Sequence, residues 1–181
     1  PSWLMMIIVG LMVGISGYFY SDIFGIGYSG INNILSNSST WQLVIVLLAL
    51  KFTLVPLVLN SGGFGGTFAP ALFLGACIGF LFSYFVTIVT GIPTDPTTYI
   101  LVGMGASLAG INSIPITAIL MIFEMSRDYS IMLPLMLGVI VSSTIVQIIN
   151  KGTVHQKLLE KQGFHISSGR ETNVLKSIYV D

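Results

Sequence analysis

Charge is what this chain has least of. Asp, Glu, Lys and Arg make up 8% of its 181 residues, against 54% hydrophobic residues. A water-soluble domain carries about a quarter charged residues, so a soluble fold is excluded. The formal net charge is zero, and no basic stripe is present to hold nucleic acid. The single cysteine, Cys77, excludes an internal disulfide; set in an apolar run, it reads as a small packing residue. The sequence shows no phosphate-loop lysine, no cluster of metal ligands and no Ser-His-Asp pattern. That argues against an enzyme and calls for no cofactor.

The few charges are unevenly placed. Five of the seven basic residues, Lys151, Lys157, Lys161, Arg170 and Lys176, fall in the last 31 positions. By the positive-inside tendency that tail is expected on the cytoplasmic side of a bilayer. The chain opens Pro1-Ser-Trp, with neither a Met nor a charged leader region. Its first apolar run, residues 3–20, is therefore a poor signal peptide. It reads as a spanning helix in mid-protein, with sequence expected ahead of Pro1.

The longest uncharged run covers residues 52–94 and contains Ser61-Gly-Gly-Phe-Gly-Gly-Thr-Phe-Ala-Pro70. Four glycines and a proline do not suit a lipid-facing helix, because freed backbone groups cost several kcal/mol each in hydrocarbon. Irregular backbone at membrane depth is tolerated where it is buried in protein or lines a watery cavity. Here it precedes a helix over 68–89. A helix start presents unpaired N–H groups and about half a positive charge, which suits an anion. The loop itself carries no fixed cation. The competing reading is that the glycines serve only close helix packing.

Around this loop the pattern predicts further helices. Residues 31–35 form a short amphipathic piece within the polar, glycine-rich stretch 22–37. Ser38-Ser39-Thr40 can cap a helix from Trp41 to about Leu59. Within that helix Lys51 should face protein or water, and Pro56 should kink the chain. Gly75 and Gly79 are spaced for close helix packing. A turn at 91–96 leads to a short helix over 97–111. Asn112-Ser-Ile-Pro115 breaks that helix, and Pro115 suits the first position of the next one, which runs to Met125. A span over 131–149 follows. Segments of 10–15 residues are usually re-entrant or buried. A bundle of tilted and partial helices belongs to channels and transporters. Glu124 is a carboxylate in an apolar run, a functional candidate by default, but one turn from Arg127 at a helix end it reads rather as part of a structural ion pair or a cap.

Three blocks carry a family resemblance. Gly65-Gly-Thr-Phe-Ala-Pro-Ala-Leu-Phe-Leu-Gly-Ala76 resembles the signature of the CLC chloride channels and chloride/proton exchangers. Gly103 to Ala118 and Ile122 to Met136 resemble the next two blocks, in family order and at family spacing. The resemblance implies an all-α integral membrane fold of tilted and re-entrant helices, of which this chain is the second inverted repeat. Residues 1–150 would be the C-terminal half of the transmembrane domain. Residues 151–163 would form a pore helix at the cytoplasmic end, and 164–181 a polar linker towards cytosolic CBS-type domains.

The implied function is chloride movement, with protons as a possible counter-substrate. The implied assembly is a homodimer through the region from Pro115 to Ile149. The backbone amides of Thr67 and Phe68, with Ala69 beside them, would line the anion path, and Gly65 and Gly66 would free them. Where the family places a tyrosine donor after the last span, this chain has His155, which can donate N–H and can become cationic near neutral pH. Two other classes stay open at this point: a cation-coupled symporter with a similar broken helix, which usually needs carboxylates or unwound carbonyls that these spans offer almost nowhere, and a non-transporting fragment.

Overall fold

The computed structural model describes residues 2–23, 27–36, 38–63 and 65–150, with backbone alone at 2, 3 and 150. Among the described residues there is no strand. The helices are α1 (Ser2–Phe19), α2 (Tyr28–Leu35), α3 (Trp41–Asn60), α4 (Phe68–Thr90), α5 (Pro96–Asn112), α6 (Pro115–Ser126) and α7 (Met132–Asn150). Single 3₁₀ turns at Ser21–Ile23 and Tyr129–Ile131 follow α1 and precede α7. Three stretches are long and apolar enough to cross a membrane: Trp41–Asn60, Phe68–Thr90 and Tyr129–Ile149. Pro115–Ser126 is apolar but shorter, as expected, and so is the described part of α1, Leu4–Phe19.

Local chemistry sets the ends. Asp95 caps α5, its Oδ1 accepting from the Thr97 N–H at 3.1 Å, and Pro96 takes the first turn, where its missing N–H removes no bond. The residues expected to form a turn at 95–96 thus begin the helix. Gly91 ends α4 in the left-handed region at φ 67°. Pro115 opens α6 as expected, and Ser113 makes the break between α5 and α6 with a left-handed φ of 58°. Thr40 stands at the start of α3 but makes no capping bond. The nearby hydroxyls of Ser36 and Ser38 turn back to the Asn33 carbonyl instead, at 3.2 and 2.9 Å. Pro56 lies inside α3 without ending it.

α4 is the hub. It packs most closely on α5, where Gly75 and Gly79 meet Gly103 and the backbone of Tyr99 and Ile100. A Cβ at Gly75 would stand 2.7 Å from Met104 Cα, and one at Gly79 would stand 2.8 Å from Ile100 Cα. Lipid tails are as apolar as leucine, so close packing, not water exclusion, holds such helices together. α5 also packs on α7: Gly105 admits Leu135, Gly138 admits Val102, and Ser142 donates its hydroxyl to the Ala106 carbonyl at 2.7 Å. The buried centre comprises Phe73, Leu72, Met104, Leu108, Ile122 and Leu135 among others, with Cys77 fully buried as a packing residue. α3 lies along α4, with Trp41 stacked on Tyr84 at 6.0 Å. The expected Glu124–Arg127 ion pair is not formed among the described residues. The two line one shallow surface groove with Phe123 and Tyr129, and Arg127 itself ends α6 in a left-handed turn at φ 52°.

Candidate functional site

The loop between α3 and α4 uses its glycines in two ways. Gly62 adopts φ +90°, and Gly63 donates to the Val58 carbonyl at 3.0 Å, so close to it that a Cβ would lie 2.8 Å from that oxygen. These two are required by backbone geometry. Gly65 and Gly66 are different. A Cβ at Gly65 would meet only Leu59 at 4.0 Å, and one at Gly66 would meet nothing within 4 Å. Neither has a positive φ. Packing among the described residues does not demand glycine there. What glycine leaves at 65 and 66 is bare, exposed backbone leading into a helix start.

At that start the first bond is from the Ala71 N–H to the Thr67 carbonyl, at 3.1 Å. The amides of Thr67, Phe68 and Ala69 have no partner inside the helix, and Pro70 has no N–H. The Thr67 side chain does not cap them. Its hydroxyl donates instead to Asn112 Oδ1 at 2.6 Å, tying the loop to the end of α5. Three donors therefore stand at the positive end of a 23-residue helix with no carboxylate in its first turn.

A cavity of about 540 Å³ adjoins the loop. Gly65, Gly66, Phe68, Ala69 and Pro70 form one side, and Lys51, Leu54, Val55 and Val58 of α3 form another. Lys51 is the charged residue of this lining. It is 4% exposed, and its Nζ lies 5.1 Å from the Phe73 ring centroid. Lys51 faces protein, as expected, and the loop itself carries no cation. Lys51 thus shares the lining of one cavity with Phe68 and Ala69 at the start of α4.

Thr67, Phe68, Ala69, Gly65 and Gly66 are thus brought together at one helix start. His155 lies outside the described residues, as do the segments 151–163 and 164–181. The sequence reading missed Asn112, because a lone polar residue at a helix break gives no hint of which loop it meets 45 positions away. Among the described residues no group of His, Cys, Asp and Glu could hold a metal ion.

A loop that presents amides between two apolar helices of spanning length, inside an all-helical bundle, fits an integral membrane protein of the channel and transporter kind. The family model described as voltage gated chloride channel matches residues 1–147, and the chain belongs to that family. It is similar to the ClcB-like protein of Ralstonia nicotianae, 35% identical over 162 residues, covering 89% of this chain and 38% of that protein. It also resembles chloride channel protein CLC-f of Arabidopsis thaliana, 35% identical over 156 residues, covering 79% of this chain and 20% of that one. The voltage-gated ClC-type chloride channel ClcB of Escherichia coli is 27% identical over 158 residues, covering 87% and 38%. The chain spans well under half the length of these relatives.

Proposed function

We propose that this chain supplies part of a transmembrane chloride path, in a channel or a chloride/proton exchanger, and that the anion is bound by the amides of Thr67 and Phe68 with Ala69 beside them. The observation that carries this reading is the pair Gly65 and Gly66. Neither packing among the described residues nor φ calls for glycine there, and both leave backbone bare before three helix-start donors that have no partner inside the helix. Conduction needs binding that also releases the ion. Neutral amides meet that need, with Lys51 in the lining of the same cavity. The apolar spans offer no carboxylate at the loop, which disfavours a cation-coupled symporter. In this reading the basic C-terminal tail is cytoplasmic, and His155 adds a donor at the inner end of the path. Two copies associate through the outer faces of α6 and α7.

The test is anomalous diffraction from crystals of the full-length protein soaked in bromide. Bromide within about 3.5 Å of the Thr67 and Phe68 nitrogens is the expected result. Bromide elsewhere with this loop empty would refute the assignment.

A further inference from the structure

Thr67 meets Asn112 through two oxygens. The hydroxyl donates to Oδ1 at 2.6 Å, while Nδ2 of the same carboxamide is buried with no hydrogen-bond partner, alone in this among the buried side-chain nitrogens and oxygens described. A buried donor without a partner is costly and calls for an explanation. The two ends of a carboxamide are nearly equal in size, so a half-turn about its last side-chain bond exchanges them in the same space. In the turned arrangement Nδ2 donates to Thr67 Oγ1, and Nδ2 is no longer unpaired. The Thr67 hydroxyl hydrogen, released from Oδ1, can then point elsewhere. Thr67 is exposed. Its Oγ1 is three bonds from its own amide nitrogen, hence within about 4 Å of it. An anion held at the Thr67 and Phe68 amides is within reach of that hydroxyl.

We propose that Asn112 is a positioning residue that sets the Thr67 hydroxyl as an additional donor to the anion. With Oδ1 towards Thr67 the hydroxyl is drawn away. With Nδ2 towards Thr67 the hydroxyl is presented to the anion, and Nδ2 gains a partner while Oδ1, an acceptor, takes the buried place that Nδ2 left. Binding and release then involve the turn of one amide. The location suits this task. Asn112 is the last residue of α5, directly before the left-handed Ser113, and so joins the helix break between α5 and α6 to the loop that starts α4. The inference rests on the anion-path reading above and adds a side-chain donor to it.

The experiment is titration of potassium chloride into the purified full-length protein in a chloride-free buffer, followed by calorimetry, with melting temperature as a control. Thr67→Val removes the hydroxyl and keeps the shape; it should weaken chloride binding about tenfold, the worth of one hydrogen bond to an ion. Thr67→Ser should bind as the parent does. Asn112→Leu should weaken binding by a similar factor through the misplaced hydroxyl, and Thr67→Val with Asn112→Leu should be no weaker than Thr67→Val alone. Parent-like affinity in Thr67→Val overturns the inference and leaves the amide site standing. Two independent effects that multiply in the double variant also overturn it. A parent protein that binds no chloride overturns the anion-path reading itself. Thr67 is exposed, so the valine variant remains informative even if Asn112→Leu fails to fold.

Discussion

Gly75→Ala and Gly79→Ala test the central packing argument most directly. Each adds one methyl where α4 meets α5. At Gly75 that methyl would stand 2.7 Å from Met104 Cα and closer still to the Gly103 carbonyl oxygen; at Gly79 it would stand 2.8 Å from Ile100 Cα and closer to the Tyr99 carbonyl. Carbon atoms rest about 3.5–4.0 Å apart, so the helices must part by roughly 1 Å. The obstacles are backbone atoms and cannot turn aside as a side chain can. Overpacking of this kind costs about 1–3 kcal/mol, and a 1 Å gap forfeits up to about half of each dispersion contact along the seam. Against this stands only the usual gain of alanine over glycine in a helix, about 0.5–1 kcal/mol. The net expectation is a loss of about 1–2 kcal/mol for each variant. The double variant should lose less than the sum, because helices already parted for one methyl accommodate the second. Gly14→Ala is the comparator, since a Cβ there meets nothing within 4 Å. Thermal unfolding of the full-length protein in one detergent, followed by loss of the monodisperse peak on size exclusion, would rank the four variants. If Gly75→Ala and Gly79→Ala melt together with Gly14→Ala, the close crossing does not hold this fold.

Ser142→Ala removes the 2.7 Å bond to the Ala106 carbonyl and should cost about 0.6 kcal/mol, the average for interhelical bonds in membranes, read as a small drop in the same melting assay. The Asp128 carboxyl is held below the usual carboxylate range by the Ser130 N–H and hydroxyl, at 2.9 and 2.8 Å. A lowered folded pKa contributes stability above the unfolded value, near 3.9, and that contribution is lost as pH falls through the folded value. Asp128→Asn should therefore flatten the melting profile only below about pH 4, and a profile parallel to the parent's would contradict the bond's role. For the proposed dimer, single cysteines at Ile116, Leu120, Leu137 and Ile145 on the exposed faces of α6 and α7 should cross-link between subunits in membranes. Gly138→Cys and Ser142→Cys should not, because those positions face α5. The reverse pattern would move the interface.

Much of the architecture was legible before any coordinates. Apolar runs of spanning length, punctuated by Gly91, Asn112 and Pro115, dictate where helices run and stop, because glycine and proline act through their own backbone and need no distant partner. The glycine loop announced itself for the same reason. The caps were less legible: Ser38, Ser39 and Thr40 all suit a cap, and the choice among hydroxyls depends on which carbonyl stands nearest.

The partners of side chains were decided by tertiary structure alone. The resemblance put the region from Pro115 to Ile149 at a subunit interface, and within it the fold turns the small residues Gly138 and Ser142 inward onto Val102 and Ala106 of α5. A stripe of small residues states that something approaches closely without stating what. Lys51 carried a signal of burial, yet its place in the lining of the cavity beside the loop follows from how α3 lies along α4. Asn112 needed the α4–α5 crossing to bring its amide to Thr67. Periodicity and backbone chemistry are properties of a few consecutive residues, so one sequence suffices to read them. Which donor meets which acceptor across 45 positions is a property of packed helices, and only their packing decides it.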